Sequence, residues 1–171
     1  MNVKHMLCLS ALILFMVACG SEKQEKEKTD KSVEVPIKQE QIAMVDTLEN
    51  GEAKRIELQH ILISFAGTRT AATRTQAEAQ LLAAEVLGEA QSGQSFSELM
   101  KKYSDDTGSG QYALRNNGVQ SDPSISNEYA RGQMVPAFGN TGFKLDVGEI
   151  DMANFSKKDS PFGWHIIKRV R

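Results

Sequence analysis

The sequence predicts an α+β domain in which helices pack on an antiparallel sheet. Two runs rich in apolar and β-branched residues, one opening at Arg55 and one ending at Val170, have the character of strands. Between them, Thr75-Gln-Ala-Glu78 and Ser95-Phe-Ser-Glu98 have the form of capping boxes that open helices. The whole series reads β, α, α, β, α, β, β, an order that suits helices segregated onto an antiparallel sheet.

The first strand is Arg55 to Phe65, bounded by Ala66-Gly67. With a period of two, Leu58, His60 and Leu62 share one face and Ile61, Ile63 and Phe65 the other. Apolar residues on both faces make it a central strand. A polar loop, Gly67 to Arg74, leads to the first helix. In that helix Ala79, Leu82, Ala83, Val86, Leu87 and Ala90 recur at helical spacing until about Gln91, with Gly93 as its stop. A shorter helix follows through Tyr103, with Phe96, Leu99 and Met100 as its buried stripe. The stretch Ser104 to Ala130, rich in Gly, Ser, Asn and Asp, is expected to be irregular apart from one strand near Gln111 to Arg115. Met134-Val-Pro136-Ala-Phe138 opens a third helix, Pro136 suiting its first turn, and the helix ends near Leu145. A strand around Glu149 to Phe155, a turn at 157–161 and a last strand, Phe162 to Val170, complete the domain.

Composition narrows the function. The 171 residues are 40% hydrophobic and 25% charged, as in a globular protein, and suffice for one domain with extensions. The net charge of −2 gives no reason to expect nucleic acid as a partner. Two cysteines exclude a disulfide scaffold and a multi-thiolate zinc site.

The N-terminus reads as a targeting device. Lys4 precedes a largely apolar run, Met6 to Ala18, which is shorter than the about 20 residues a spanning helix needs. The run ends in Val17-Ala18-Cys19-Gly20-Ser21, which resembles the bacterial lipoprotein box, with Met16 where leucine is usual. The resemblance implies that residues 1–18 are removed and that Cys19 becomes a lipid-carrying first residue, anchoring the protein in a membrane of the cell envelope, facing the periplasm or the exterior. Cys8 leaves with the signal, so the mature chain forms no internal disulfide. Residues 19–53 read as a flexible linker: Glu22 to Lys31 alternates charges of both signs. The composition changes near Lys54, which sets the expected domain at 54–171.

Four motifs, in order, now resemble the parvulin family of peptidyl-prolyl cis/trans isomerases: His60-Ile-Leu-Ile in the first strand, Phe96 to Asp106 in the second helix and its acidic turn, Arg131-Gly-Gln-Met134-Val-Pro-Ala-Phe138 in the third helix, and Gly163-Trp-His-Ile-Ile167 in the last strand. The resemblance covers the domain and implies a β-α-α-α-β-α-β-β fold around a four-stranded antiparallel sheet. It implies an isomerase of exported or envelope proteins acting on proline-containing polypeptides, without cofactor or metal. His60 and His165 match the paired inner histidines, Asp106 stands where the family has Cys or Asp, and Met134 and Phe138 match the floor for the proline ring. Tyr129 is the candidate third pocket aromatic and Ser160 falls at a hydroxyl position of the site. A monomer is expected.

Two departures stand out. Gly108 to Gly118 lacks the family's Gly-Gly-Asp-Leu-Gly-aromatic stretch, and about ten extra residues precede Arg131. The loop after the first strand has only Arg69 and Arg74, too little for the basic cluster of phosphate-selective parvulins. The departures leave room for a non-catalytic chaperone or docking module on the same scaffold.

The same residues also have blander readings. Histidines flanked by apolar strand residues fit a satisfied core, and Met134 and Phe138, at i and i+4, fit a core helix face. A metal held by His60, His165 and Asp105 or Asp106 has no supporting spacing, and no Gly-x-Ser-x-Gly elbow supports a serine hydrolase.

Overall fold

The computed structural model describes residues 46–171; the apolar leader, Cys19 and most of the charged linker lie outside the described residues. Strand β1, Arg55–Ile63, is the middle of a five-stranded sheet ordered β3-β2-β1-β5-β4. Its neighbours, β2 (Gln111–Arg115) and β5 (Trp164–Arg169), are both antiparallel to it, and β4 (Ile150–Ala153) is antiparallel to β5. The apolar character of both faces of β1 therefore does mark a central strand.

The expectation of a four-stranded antiparallel sheet is corrected at one edge. Strand β3, Glu128–Ala130, runs parallel to β2, so the sheet is mixed. It lies within the stretch that carries the extra residues. The Glu128 carboxylate, almost inaccessible, accepts from Arg55 Nε at 2.7 Å, from Ser121 Oγ at 3.1 Å and from the Asp122 amide at 3.1 Å. A buried carboxylate is tolerable only when paired and hydrogen-bonded, and here the pairing clamps the segment to the start of β1. The described residues also contain three α-helices and a 3-10 turn, Arg131–Gln133, and no further helix between Tyr103 and β2.

Helix α1, Gln76–Gln91, opens with the expected capping box: the Glu78 amide donates to Thr75 Oγ1 at 3.2 Å and the Thr75 amide to Glu78 Oε2 at 2.7 Å. Helix α2, Phe96–Tyr103, has only half of one. Its Ser95 hydroxyl accepts from the Glu98 amide, but Glu98 turns outward to Lys101 at 2.8 Å. Ala79, Ala83, Val86 and Ala90 of α1, with Phe96 and Leu99 of α2, cover Ile61, Ile63, Trp164 and Ile166 on one face of the sheet. Helix α3, Pro136–Lys144, covers the other, where Phe138 and Phe143 meet Ile56, Leu58, Leu114 and Ile167. Gly142 lets α3 approach closely, since a Cβ there would lie 2.5 Å from Leu58 Cδ1.

The folded body begins upstream of the composition break at Lys54. Thr47 and Ala53 form an antiparallel bridge, and the Lys54 amide donates to Asp46 O at 2.8 Å. Glu52 Oε2 accepts from Arg131 Nη1 at 3.0 Å and from Asn116 Nδ2 at 3.1 Å. Composition missed this turn because its residues are polar and its order comes from hydrogen bonds to distant elements.

Candidate active site

The two histidines meet through sheet register. His60 of β1 pairs with Ile167, and Leu62 with His165, so both rings emerge on the α3 face. His165 Nδ1 lies 2.9 Å from His60 Nε2, and the rings stack with centroids 4.9 Å apart. Both are 4% exposed. On its other side His60 presents Nδ1 to Asp106 Oδ2 at 3.5 Å. A carboxylate facing Nδ1 favours a proton there. His60 Nε2 then accepts from His165 Nδ1–H, which leaves His165 Nε2 as a buried lone pair with no partner among the described residues. Burial first, then the electrostatic influence of neighbouring His60, pushes His165 down to about 3, so it stays neutral.

Asp106 follows α2 in a turn pinned by its predecessor. Asp105 takes the Ser64 amide at 2.7 Å and the Arg74 guanidinium, and its own amide donates to Leu62 O at 2.8 Å. Asp106 is thereby directed into the groove. Its Oδ1 accepts from the Gly108 amide at 3.0 Å and its Oδ2 from the Tyr112 hydroxyl at 2.8 Å. The His60 ring beside it, then the Gly108 amide and the Tyr112 hydroxyl, hold its carboxyl well below the usual carboxylate range against the opposing effect of burial. At 3.5 Å the His60 contact is long for a hydrogen bond, so the other two are the well-formed ones. Burial, and then Asp106, push the Tyr112 phenol above its ordinary range, so it stays a donor.

Phe138 joins these groups. Its ring sits edge-on to His60 at 5.1 Å and to Tyr112 at 5.4 Å, and 5.7 Å from His165. It packs against three of the residues that line an open groove, whose walls also include Leu62, Asp106 and Val135. The rim of the groove is the loop from Arg69 to Ala72. Arg74 is committed to Asp105 and the Ser64 carbonyl, which leaves Arg69 as the exposed cation of that rim.

The expected site residues are thus brought together unevenly. His60, His165, Asp106 and Phe138 converge. Met134, half-buried, caps the 3-10 turn and packs into the α3 core. Tyr129, on β3 and 40% exposed, reaches the site only through the Tyr112 ring, 6.0 Å away. Ser160 is corrected: it is fully buried and donates to Gly163 O at 2.8 Å, bracing the turn before β5 instead of facing the groove. Tyr112 and Val135 escaped the sequence reading. The available signal for Tyr112 was its alternation with Leu114 in an expected strand, which places both on one face. Among the described residues no three metal-ligating side chains converge.

Comparison with known proteins identifies the family. A family described as the PPIC-type PPIASE domain matches residues 42–170. Over 132 residues the chain is 34% identical to the chaperone SurA of Chromohalobacter salexigens, an alignment that covers 74% of this chain and 26% of that protein. The chain thus spans about a quarter of the length of that relative. The solved peptidyl-prolyl isomerase ESS1 from Candida albicans superposes with a TM-score of 0.53 at 20% identity, covering 76% of this chain and 73% of that one. The solution structure of TbPIN1 gives 0.51 at 22% identity, covering 69% and 98%. At such identities the two structures establish likeness of fold.

Proposed function

The chain belongs to the family of PPIC-type PPIASE domains, and we propose that it is a peptidyl-prolyl cis/trans isomerase that assists the folding of exported polypeptides, anchored to a cell-envelope membrane through lipid on Cys19. The observation that carries the catalytic reading is the convergence of Asp106, the His60–His165 pair and the Phe138–Tyr112 aromatic pair at one open groove. The lipoprotein-box resemblance at Val17-Ala18-Cys19 supports the anchor.

The reaction breaks no covalent bond. Rotation about the amide C–N bond is opposed by about 18–20 kcal/mol of lost resonance. An X-Pro bond populates both isomers and exchanges over tens to hundreds of seconds uncatalysed. Charge separation along the amide falls as it twists, so a groove of low polarity favours the twisted form over the planar one. Val135, Leu62 and the ring of Tyr112 supply such a wall, with Phe138 packed behind them. Asp106, held ionised and fixed in direction, supplies a local anion that can stabilise the twisted amide more than the planar one. The histidine pair stands beside that anion, His60 facing it and His165 fixing the ring of His60. Arg69 is a single exposed cation on the rim, too little to demand a phosphate before the proline.

Exchange spectroscopy by NMR on an Ala-Ala-Pro-Phe peptide tests this reading. Micromolar amounts of the chain from residue 20 onward are expected to accelerate cis/trans exchange. A folded protein that suppresses aggregation of an unfolded client yet leaves the exchange rate untouched would instead make it a binding module on the same scaffold.

A further inference from the structure

Tyr112 stands where three parts of the groove meet. It pairs with Leu58 across β1 and β2, so its side chain lies on the face that carries His60. Its ring centroid is 5.8 Å from His60, 5.4 Å from Phe138 and 6.0 Å from Tyr129. Its hydroxyl reaches the Asp106 carboxylate at 2.8 Å, nearer than the 3.5 Å separating that carboxylate from His60 Nδ1. The remaining bond, from the Gly108 amide to Oδ1, comes from the same turn as Asp106 and moves with it. Asp105 pins the turn to β1, but the Asp106 carboxylate can still rotate about its own side-chain bonds. The Tyr112 bond ties it to the sheet.

We propose that Tyr112 is a positioning residue of this site: its hydroxyl locks the Asp106 carboxylate in the orientation the twisted amide needs, while its ring forms the wall beside Phe138. The assignment rests on the isomerase reading above and adds the element that sets the direction of its anion. It also gives the extended edge of the sheet a purpose. Strand β3 pairs Tyr129 with Leu114 beside Tyr112 and backs the Tyr112 ring from outside. The Glu128 carboxylate, clamped by Arg55, holds β3 in place.

The groups that bear on Asp106 come from every side of the groove. His60 faces it from β1, with His165 of β5 behind, and Tyr112 faces it from β2. Its neighbour Asp105 is neutralised by Arg74, and Arg69 stands on the rim. Removing the Tyr112 hydroxyl changes one of these contacts and leaves the others in place.

The test is Tyr112→Phe in the chain from residue 20 onward, read in two independent ways. In a ¹³C carboxyl titration the Asp106 midpoint is expected to rise by about one pH unit or more, the typical effect of losing one hydrogen bond to an ionised group. In the peptide exchange assay kcat/KM at neutral pH is expected to fall about three- to tenfold with KM nearly unchanged, and the acid limb of activity is expected to move to higher pH. Tyr112→Leu, which also removes the ring, should raise KM in addition. An unmoved Asp106 midpoint overturns the proposal, and so does a moved midpoint with unchanged kcat/KM, which would make the bond structural only. Because the titration needs no turnover, a wild-type protein inactive in exchange would sink the isomerase reading while the titration still reports whether Tyr112 holds Asp106.

Discussion

His165 Nδ1 lies 2.9 Å from His60 Nε2, joining two adjacent strands through imidazoles that are almost fully buried. One edge of this pair meets the Asp106 carboxylate and the other ends in a ring nitrogen without a partner among the described residues. Proton uptake by His165 is therefore unfavourable in the folded protein.

Stability should in consequence fall on acidification. The folded-state pKa of His165 is depressed to about 3 from an ordinary 6.5. Between those values the unfolded chain binds a proton that the folded chain does not, so stability rises with pH there. The depressed Asp106 carboxyl acts in the same direction: its contribution is present above the unfolded pKa and is lost as pH falls through the folded one. Unfolding free energies from urea titrations at pH 7.5, 6 and 5 should decline by up to about 1.4 kcal/mol per pH unit from one such group. His165→Asn should flatten the slope, and an equally steep decline in that variant would place the titrating group elsewhere.

Phe138→Ala should abolish most of the exchange activity. Phe138 is 2% exposed and touches His60, His165 and Tyr112, so truncation opens a cavity at the back of the groove and should cost about 3–5 kcal/mol of stability. Phe138→Leu preserves most of the volume and separates folding from function. With its fold intact by circular dichroism, it should still lose about tenfold or more in kcat/KM. Wild-type exchange by the leucine variant would remove the aromatic ring from the site.

Starting the chain at residue 54 should weaken the domain. The cut removes Glu52 and Ala53, which accept from the buried Asn116 amide at 3.1 and 3.0 Å, and it releases Arg131 from Glu52. A buried amide left unpaired costs about 1–3 kcal/mol. Thermal melting should fall by several degrees relative to a chain starting at residue 46. Equal melting temperatures would show that the upstream turn contributes nothing.

Cys19→Ala should release the protein from membranes provided the leader is still removed. The lipid on Cys19 is the proposed anchor, and no helix among the described residues is long and apolar enough to cross a bilayer. Fractionation with a check of the mature N-terminus measures this. A processed variant that stays with the membranes would overturn the lipid anchor.

Much of the molecule is legible in the sequence because its signals are short-range. The Thr75–Glu78 box is closed by side chains three residues apart, so the start of α1 was encoded locally, and Gly93, with φ of 95°, stops it as a left-handed residue can. The apolar pattern on both faces of Arg55 to Phe65 determined that β1 is central, since only a strand covered on both sides buries both sets. The motifs around His60, Asp106, Phe138 and His165 determined the family. What tertiary structure alone decided includes choices between competing local partners as well as contacts between residues far apart in sequence. Glu98 has the spacing of a capping box, yet an exposed lysine competes for its carboxylate. Ser160 has the hydroxyl of a site residue, yet the Gly163 carbonyl takes it inward. Strand β3 exists because Glu128 finds Arg55, 73 residues away. The Tyr112–Asp106 bond exists because the register of β2 on β1 turns Tyr112 toward His60, and a slip of one residue would send that hydroxyl to the opposite face.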